Sequence, residues 1–270
     1  MRKLRKLLII SAIITPYIVY AWPWVSPYAF CLNNPVNFVD PDGKDVYMLF
    51  YTTGNGRGDE MFKVSAETRK YDIEHSDFYN SENDIVLLYD IQDLANIGTI
   101  VENAITTYSD KYGKTAEFSI WSHAGYDGPV GTIPTSSNTL DKKQMTLEGW
   151  SSIEFNWAQN ANANFYGCKT GLERNTTPSF STNISTLQNF QDIFIHGQTS
   201  SAYPSIYTNV RYNTSNILQG IFSYPTYLVG GNSLGILGHL FPTQTIANPM
   251  STSKNGQRIT TNYYQPGNIY

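Results

Sequence analysis

The chain has 270 residues, 41% hydrophobic and 15% charged, which is enough to bury one good core and too apolar for a disordered chain. Its net charge is −4 at pH 7, and its 20 tyrosines outnumber the 18 lysines and arginines; with no basic patch to attract a polyanion, nucleic-acid binding is not expected. Two cysteines, Cys31 and Cys168, cannot make a disulfide framework and are expected as thiols, and no Cys/His cluster has zinc-ligand spacing, so no metal or other cofactor is expected.

Arg2, Lys3, Arg5 and Lys6 precede an apolar run from Leu7 to Tyr20, and Val19-Tyr20-Ala21 suits a small-residue cleavage site. Residues 1–25 therefore read as an export leader. The run is short for a full span and carries Pro16, so membrane attachment is expected only through residues 7–25 of an uncleaved chain. The alternative is an accidental leader left by truncation of an upstream coding region.

Between Ser26 and Lys44 the composition turns to Asn, Pro, Asp and Gly, with turn sequences at Asn33-Asn34-Pro35 and Asp40-Pro41-Asp42-Gly43, which describes an ordered linker. The full segment, SPYAFCLNNPVNFVDPDGK, resembles the end of the core that closes RHS-repeat proteins. In that family a variable effector domain, often a toxin, follows this segment. The resemblance implies that the residues after Lys44 are exchangeable cargo, with a cognate immunity protein as partner. The large repeat shell that precedes the segment in the family does not occur in this sequence.

From Asp45 short β-rich runs alternate with longer polar or amphipathic stretches, the pattern of a parallel sheet covered by helices. Strands are predicted at Val46–Tyr51, Ile85–Tyr89, Ala116–Trp121, Ala163–Tyr166, Ile193–Ile195 and Thr226–Val229. The clearest helix runs from Ile91 to Tyr112, where Leu94, Ile97, Val101, Ala104 and Tyr108 recur at three- and four-residue spacing before Gly113. A second is expected from Thr182 to Phe190. The expected organisation is a cargo domain over 45–235 and a loosely structured tail over 236–270.

Two segments share a plan, an apolar strand ending in a reactive residue beside glycine. They are Phe118-Ser119-Ile120-Trp121-Ser122-His123-Ala124-Gly125 and Asn164-Phe165-Tyr166-Gly167-Cys168-Lys169-Thr170-Gly171. Both His123 and Cys168 would sit at strand carboxyl ends, where ligands and catalytic groups gather in open α/β sheets. An imidazole that takes or polarises a thiol proton yields a thiolate nucleophile, and backbone amides at Cys168 and near Ala124 or Gly125, in turns shaped by Gly125 and Gly167, would hold the oxyanion.

These blocks resemble those of the caspase-like cysteine peptidases, particularly the bacterial CHAT branch, whose strands end in Ser-His-Gly and Ala-Cys-x-Thr-Gly. Here Ala124 stands in the glycine position of the first block, and Gly167 stands in the alanine position of the second. The order of His before Cys agrees, and the interval of 45 residues between them is close to the roughly 50 seen in caspases. The resemblance implies an α/β three-layer sandwich with a mostly parallel central sheet, and a cysteine endopeptidase with a protein or peptide substrate. In that reading Cys168 is the nucleophile and His123 the base.

Other candidates carry less. Gln198, Thr199 and Ser200 follow the next strand and are possible substrate-pocket residues. His196 lies after Cys168, against the family order, and reads as structural or pocket-lining. Gly231-Asn232-Ser233-Leu234-Gly235 has the form of a serine nucleophile elbow, but residues 234–270 supply His239 and no acidic residue. The Gly54–Gly58 loop lacks the Gly-Lys-Ser/Thr ending of a phosphate-binding loop and reads as a flexible turn. Two alternatives stay open: a non-catalytic secreted or surface binding module on the same fold, and a toxin of another enzymatic class.

Overall fold

A computed structural model describes residues 43–54, 58–133, 139–140, 143–199 and 250–263. These belong to one compact unit, Asp40–Tyr270. The leader, nearly all of the RHS-like segment with Cys31, Ser200, the expected strand at Thr226–Val229 and the Gly231–Gly235 turn lie outside the described residues.

The elements in chain order begin with β1 (Asp45–Thr52), α1 (Asp59–Glu74), β2 (Ile85–Ile91), α2 (Asn96–Tyr112) and β3 (Lys114–Trp121). There follow the short strands β4 (His123–Gly125), β5 (Gly128–Val130), β6 (Thr139–Leu140) and β7 (Gln144–Met145), then α3 (Leu147–Ser151) and β8 (Trp157–Tyr166). The described chain continues with α4 (Phe180–Ile184), a 3-10 turn at Gln188–Phe190, β9 (Phe194–Gln198), β10 (Met250–Lys254) and β11 (Gln257–Tyr263).

Seven strands form a mixed, mostly parallel sheet in the order β11-β10-β9-β8-β3-β1-β2. The five from β2 to β9 are mutually parallel, and β10 and β11 extend it antiparallel. The chain steps outward from β1 to β2 and then back past β1 to β3. Right-handed crossovers in opposite directions put their helices on opposite faces, and α1 and α2 follow that rule.

Alternation along β1 divides the core. Val46, Met48 and Phe50 join Phe118, Ile120, Phe165, Ile195, the Ile97-Val101-Ala104 stripe of α2, Trp150 of α3 and Phe180 of α4 on one face. Tyr47 and Leu49 join Trp121, Tyr166, Met250 and the α1 residues Phe62, Ala66 and Ile73 on the other. The second face carries a buried polar strip. Arg69 of α1 grips Glu117 with two bonds of 3.1 and 2.5 Å, Ser119 donates to Glu117, and Asn164 donates to Ser119.

Several element bounds differ from expectation for local reasons. Ile91 ends β2, and α2 starts only at Asn96, because the Asp93 carboxylate accepts from the Ala95 amide and shapes the turn first. The strand expected at Ala163–Tyr166 extends back to Trp157. The helix expected from Thr182 to Phe190 starts at Phe180, capped by the Ser179 hydroxyl, and breaks after one turn. The tail expected over 236–270 is ordered where described: Met250–Lys254 and Gln257–Tyr263 form a hairpin through Asn255 and Gly256, both at positive φ. That pair suits a two-residue hairpin turn, which needs positive φ at both central positions.

Candidate functional site

The site lies at the carboxyl ends of β3, β8 and β9. At the start of the β3/β8 ladder Thr115 pairs with Trp157, but two residues later Glu117 pairs with Asn162. The extra β8 residues are absorbed by a bulge at Asn160, which takes a positive φ of 60°, a conformation asparagine tolerates better than most side chains. From Glu117 to Trp121 each residue then faces the β8 residue 45 positions later. The same interval separates His123 from Cys168. The two residues thus leave neighbouring parallel strands at the same level.

Beyond the last ladder pair, Trp121 and Tyr166, the strands stay in touch. The Ser122 amide reaches the Tyr166 carbonyl at 3.5 Å. A Cβ added at Gly167 would lie 2.4 Å from the Ala124 Cβ and 3.1 Å from the Ser122 carbonyl. The residue after His123 and the residue before Cys168 therefore press directly on each other. Ala124 and Gly167 thus share room for a single methyl at this contact.

His123 is exposed and opens β4, a short strand paired with β5. Its ring stands edge-on to Phe62 of α1, with centroids 5.1 Å apart, and its Nε2 would lie 3.4 Å from a Cβ placed on Gly58. Gly58, at φ 91°, is thus the wall behind the imidazole as well as the residue that starts α1. Cys168 is half-buried and forms no disulfide.

The turn after Cys168 is held from several sides. Lys169 takes a positive φ of 64°. Thr170 is fully buried; its hydroxyl donates towards the Phe165 carbonyl at 2.8 Å and accepts from the Gln198 amide at 3.0 Å. The Gly171 amide donates to the Gln198 carbonyl, and the Gly171 carbonyl accepts from Ser251 Oγ and from Arg258 Nη2. A Cβ at Gly171 would come within 2.2 Å of the Gly197 carbonyl oxygen. Only glycine allows that approach. Thr170 and Gly171 thus fasten the Cys168 turn to β9, β10 and β11.

Of the expected oxyanion and turn residues, Ala124 and Gly125 belong to β4, opposite Pro129 and Gly128, and the Gly167 amide is taken by the Phe165 carbonyl at 3.0 Å. Gly167 therefore sits in a tight turn and packs directly on Ala124. Gln198 ends β9 with its side chain fully buried, Thr199 follows it partly exposed, and Ser200 lies outside the described residues. His196 is buried, with Nε2 donating to Asn162 Oδ1 at 3.1 Å and Nδ1 accepting from Thr252 Oγ1 at 3.0 Å. Burial pushes its pKa down to about 3, so it is a neutral structural group.

Ser251 and Arg258 escaped sequence reasoning because their segment shows no clear hydrophobic period, and Thr170 entered it only as part of the Cys-x-Thr-Gly block. Also missed was a rim formed by Tyr126, over whose ring Arg174 lies at 3.2 Å and Lys169 at 5.0 Å. This rim bridges the turn after His123 and the turn after Cys168. Comparison of the chain with protein-family models, curated proteins and solved structures gave no match.

Proposed function

We propose that the chain is a cysteine endopeptidase of caspase-like architecture, carried as the effector of an RHS-associated toxin system. The observation that carries the reading is the alignment of His123 with Cys168 at the ends of adjacent parallel strands, locked by the Gly167–Ala124 contact. The helix-covered, mostly parallel sheet supports it, as does the pinning of a Cys-x-Thr-Gly turn by buried hydrogen bonds. The RHS-like segment supports the effector role, with an immunity protein as partner and export through the leader.

In this mechanism His123 takes the Cys168 proton and the thiolate sulfur bonds to the peptide carbonyl carbon. The tetrahedral adduct collapses with cleavage of the C–N bond, and His123 returns its proton to the leaving amine. Water, deprotonated by His123, then attacks the thioester, releases the acid and restores the thiol.

The test is the rate of thiol alkylation by iodoacetamide near neutral pH, measured in a Cys31→Ser background so that only Cys168 reports. Labelling is expected to be at least tenfold faster with His123 present than in His123→Ala, because the thiolate is the reacting form. Equal rates, at the level of an ordinary cysteine, would sink the peptidase and leave a non-catalytic binding module on the same fold. Expression in a bacterial cytoplasm separates the effector role: toxicity that Cys168→Ala leaves undiminished contradicts the mechanism.

A further inference from the structure

A row of side chains on the α1 face lies one level behind His123 and Cys168. Trp121 pairs with Tyr166 across β3 and β8, and their rings stack at 4.6 Å. Gln198 lies one place beyond the last β8/β9 pair, Phe165 with Gly197, and so continues the row on β9; Met250 completes it on β10. Gln198 is also tied by its own backbone to Thr170 and Gly171 of the Cys168 turn.

Trp121 and Gln198 leave polar atoms of this row unanswered among the described residues. Gln198 is completely buried, and neither Oε1 nor Nε2 of its carboxamide has a partner among the described residues. The same holds for Trp121 Nε1 and for Asn164 Oδ1, one level further back on the same face. Buried polar groups are almost always paired, and four of the nine buried side-chain atoms without a hydrogen-bond partner among the described residues lie on this part of the second face. The unanswered set is two donor groups, Trp121 Nε1–H and Gln198 Nε2–H, and two acceptors, Gln198 Oε1 and Asn164 Oδ1.

We infer that this row is the substrate-side-chain subsite and that it selects an uncharged carboxamide, the side chain of glutamine or asparagine. The inference rests on reading Cys168 and His123 as the reacting pair. A carboxamide brings two N–H donors and a carbonyl with two lone pairs, which matches the unanswered set in kind and number. Charge argues the same way. Tyr166, Gln198 and Met250 offer no counter-ion, and His196 is neutral between Asn162 and Thr252. Arg69 and Glu117, also on this face, bond each other. An acidic or basic side chain would be buried without a partner, which is strongly unfavourable. An aliphatic one would leave all four groups unanswered. A guest must displace the packing over this row, and the hydrogen bonds that it brings offset part of that cost.

The experiment is equilibrium binding to the full chain carrying Cys168→Ala, read by fluorescence anisotropy. The probes are dye-labelled tetrapeptide amides that differ at one position: Gln, Asn, Glu, Asp, Lys or Leu. The Gln or Asn peptide is expected to bind at least tenfold more tightly than the others. Adding Gln198→Leu, or Gln198→Met as a second apolar replacement, should bring all six within about threefold. Because either change removes an unpaired buried amide, the melting temperature should match or exceed that of the parent, and this reports that the variant is folded. Tightest binding of a charged or leucine peptide, a preference that survives both replacements in folded protein, or no binding by any peptide overturns the inference. If the preference is seen but wild-type protein fails to hydrolyse the favoured peptide, the peptidase reading fails and the subsite stands.

Discussion

At the scale of single residues the site depends on one methyl. Gly167 and Ala124 touch so closely that an alanine at 167 would place two methyl carbons 2.4 Å apart, where contact needs about 3.5–4.0 Å. Gly167→Ala is therefore expected to cost about 1–3 kcal/mol through overpacking, and to slow alkylation of Cys168 by displacing one strand end. Ala124→Gly in the same chain restores a single methyl at the contact. The double variant should recover most of both losses, with a coupling of at least ~1 kcal/mol in a double-mutant cycle from chemical denaturation; simple additivity would refute the compensation. His196 makes a different prediction. Its pKa falls to about 3 on folding because burial disfavours the imidazolium, against about 6.5 in the unfolded chain. The unfolded state then binds the extra proton between these values, so the stabilisation is present above pH 6.5 and is lost as pH falls towards 3. Unfolding at pH 5 should need about 2 kcal/mol less than at pH 7.5 from this residue alone. His196→Gln should show a correspondingly flatter profile.

At the scale of elements the β10–β11 hairpin holds the turn after Cys168. Arg258 of β11 donates to the Gly171 carbonyl, and its Nε lies 3.3 Å from Glu173 without hydrogen-bond alignment. Ser251 of β10 donates to the same carbonyl at 3.0 Å. On the proposed peptidase reading Arg258 is a positioning residue. Arg258→Ala is expected to lower kcat at least tenfold with little change in KM, while Arg258→Lys, which can still donate to the carbonyl, recovers part of the loss; a purely structural role would show as lost folded protein with unchanged kcat. This hairpin also marks where the sequence was hard to read. Met250–Lys254 and Gln257–Tyr263 are rich in Ser, Thr and Asn, and Ser251, Thr252 and Ser253 are nonetheless buried. Hydroxyls that satisfy each other and the backbone make strands without the apolar alternation that betrays them. The Asn160-Ala161-Asn162-Ala163-Asn164 stretch of β8 escaped for the same reason, since Asn162 and Asn164 are answered on the second face by His196 and Ser119. In α1, Ser65 and Thr68 are buried with their hydroxyls turned back to the carbonyls four residues earlier, which blurs the helical stripe. The β1 and β3 strands and α2 were legible because Met48, Phe50, Phe118, Ile120, Ile97 and Val101 carry the period in apolar residues. The places of His123 and Cys168 just beyond strand ends were legible because the apolar runs close at Trp121 and Tyr166. Their register was not, since it depends on the bulge at Asn160.

At the scale of the whole molecule the two faces of the sheet divide the work. The first face holds the apolar cluster, in which Phe118, Trp150, Phe155, Phe165 and Phe180 meet at ring distances of 5.0–6.1 Å, and supplies the burial that drives folding. The second face trades apolar area for the chain from Arg69 through Glu117 and Ser119 to Asn164. That chain runs from α1, whose Phe62 backs His123, into the strands that end at the site. It therefore couples the helix behind His123 to the strands that end at His123 and Cys168. Breaking it from the cationic side leaves Glu117 buried without its counter-ion. Arg69→Met is accordingly expected to cost about 3–5 kcal/mol, measured as a fall in urea midpoint at constant m-value. Adding Glu117→Gln removes the stranded charge and should return most of that stability, since a buried pair replaced by neutral groups is often near neutral. Activity separates the two faces. The double variant should stay folded yet label Cys168 more slowly than wild type, because α1 is no longer held against β3 behind His123. A double variant that regains both stability and the wild-type labelling rate would show that the polar strip serves the fold alone.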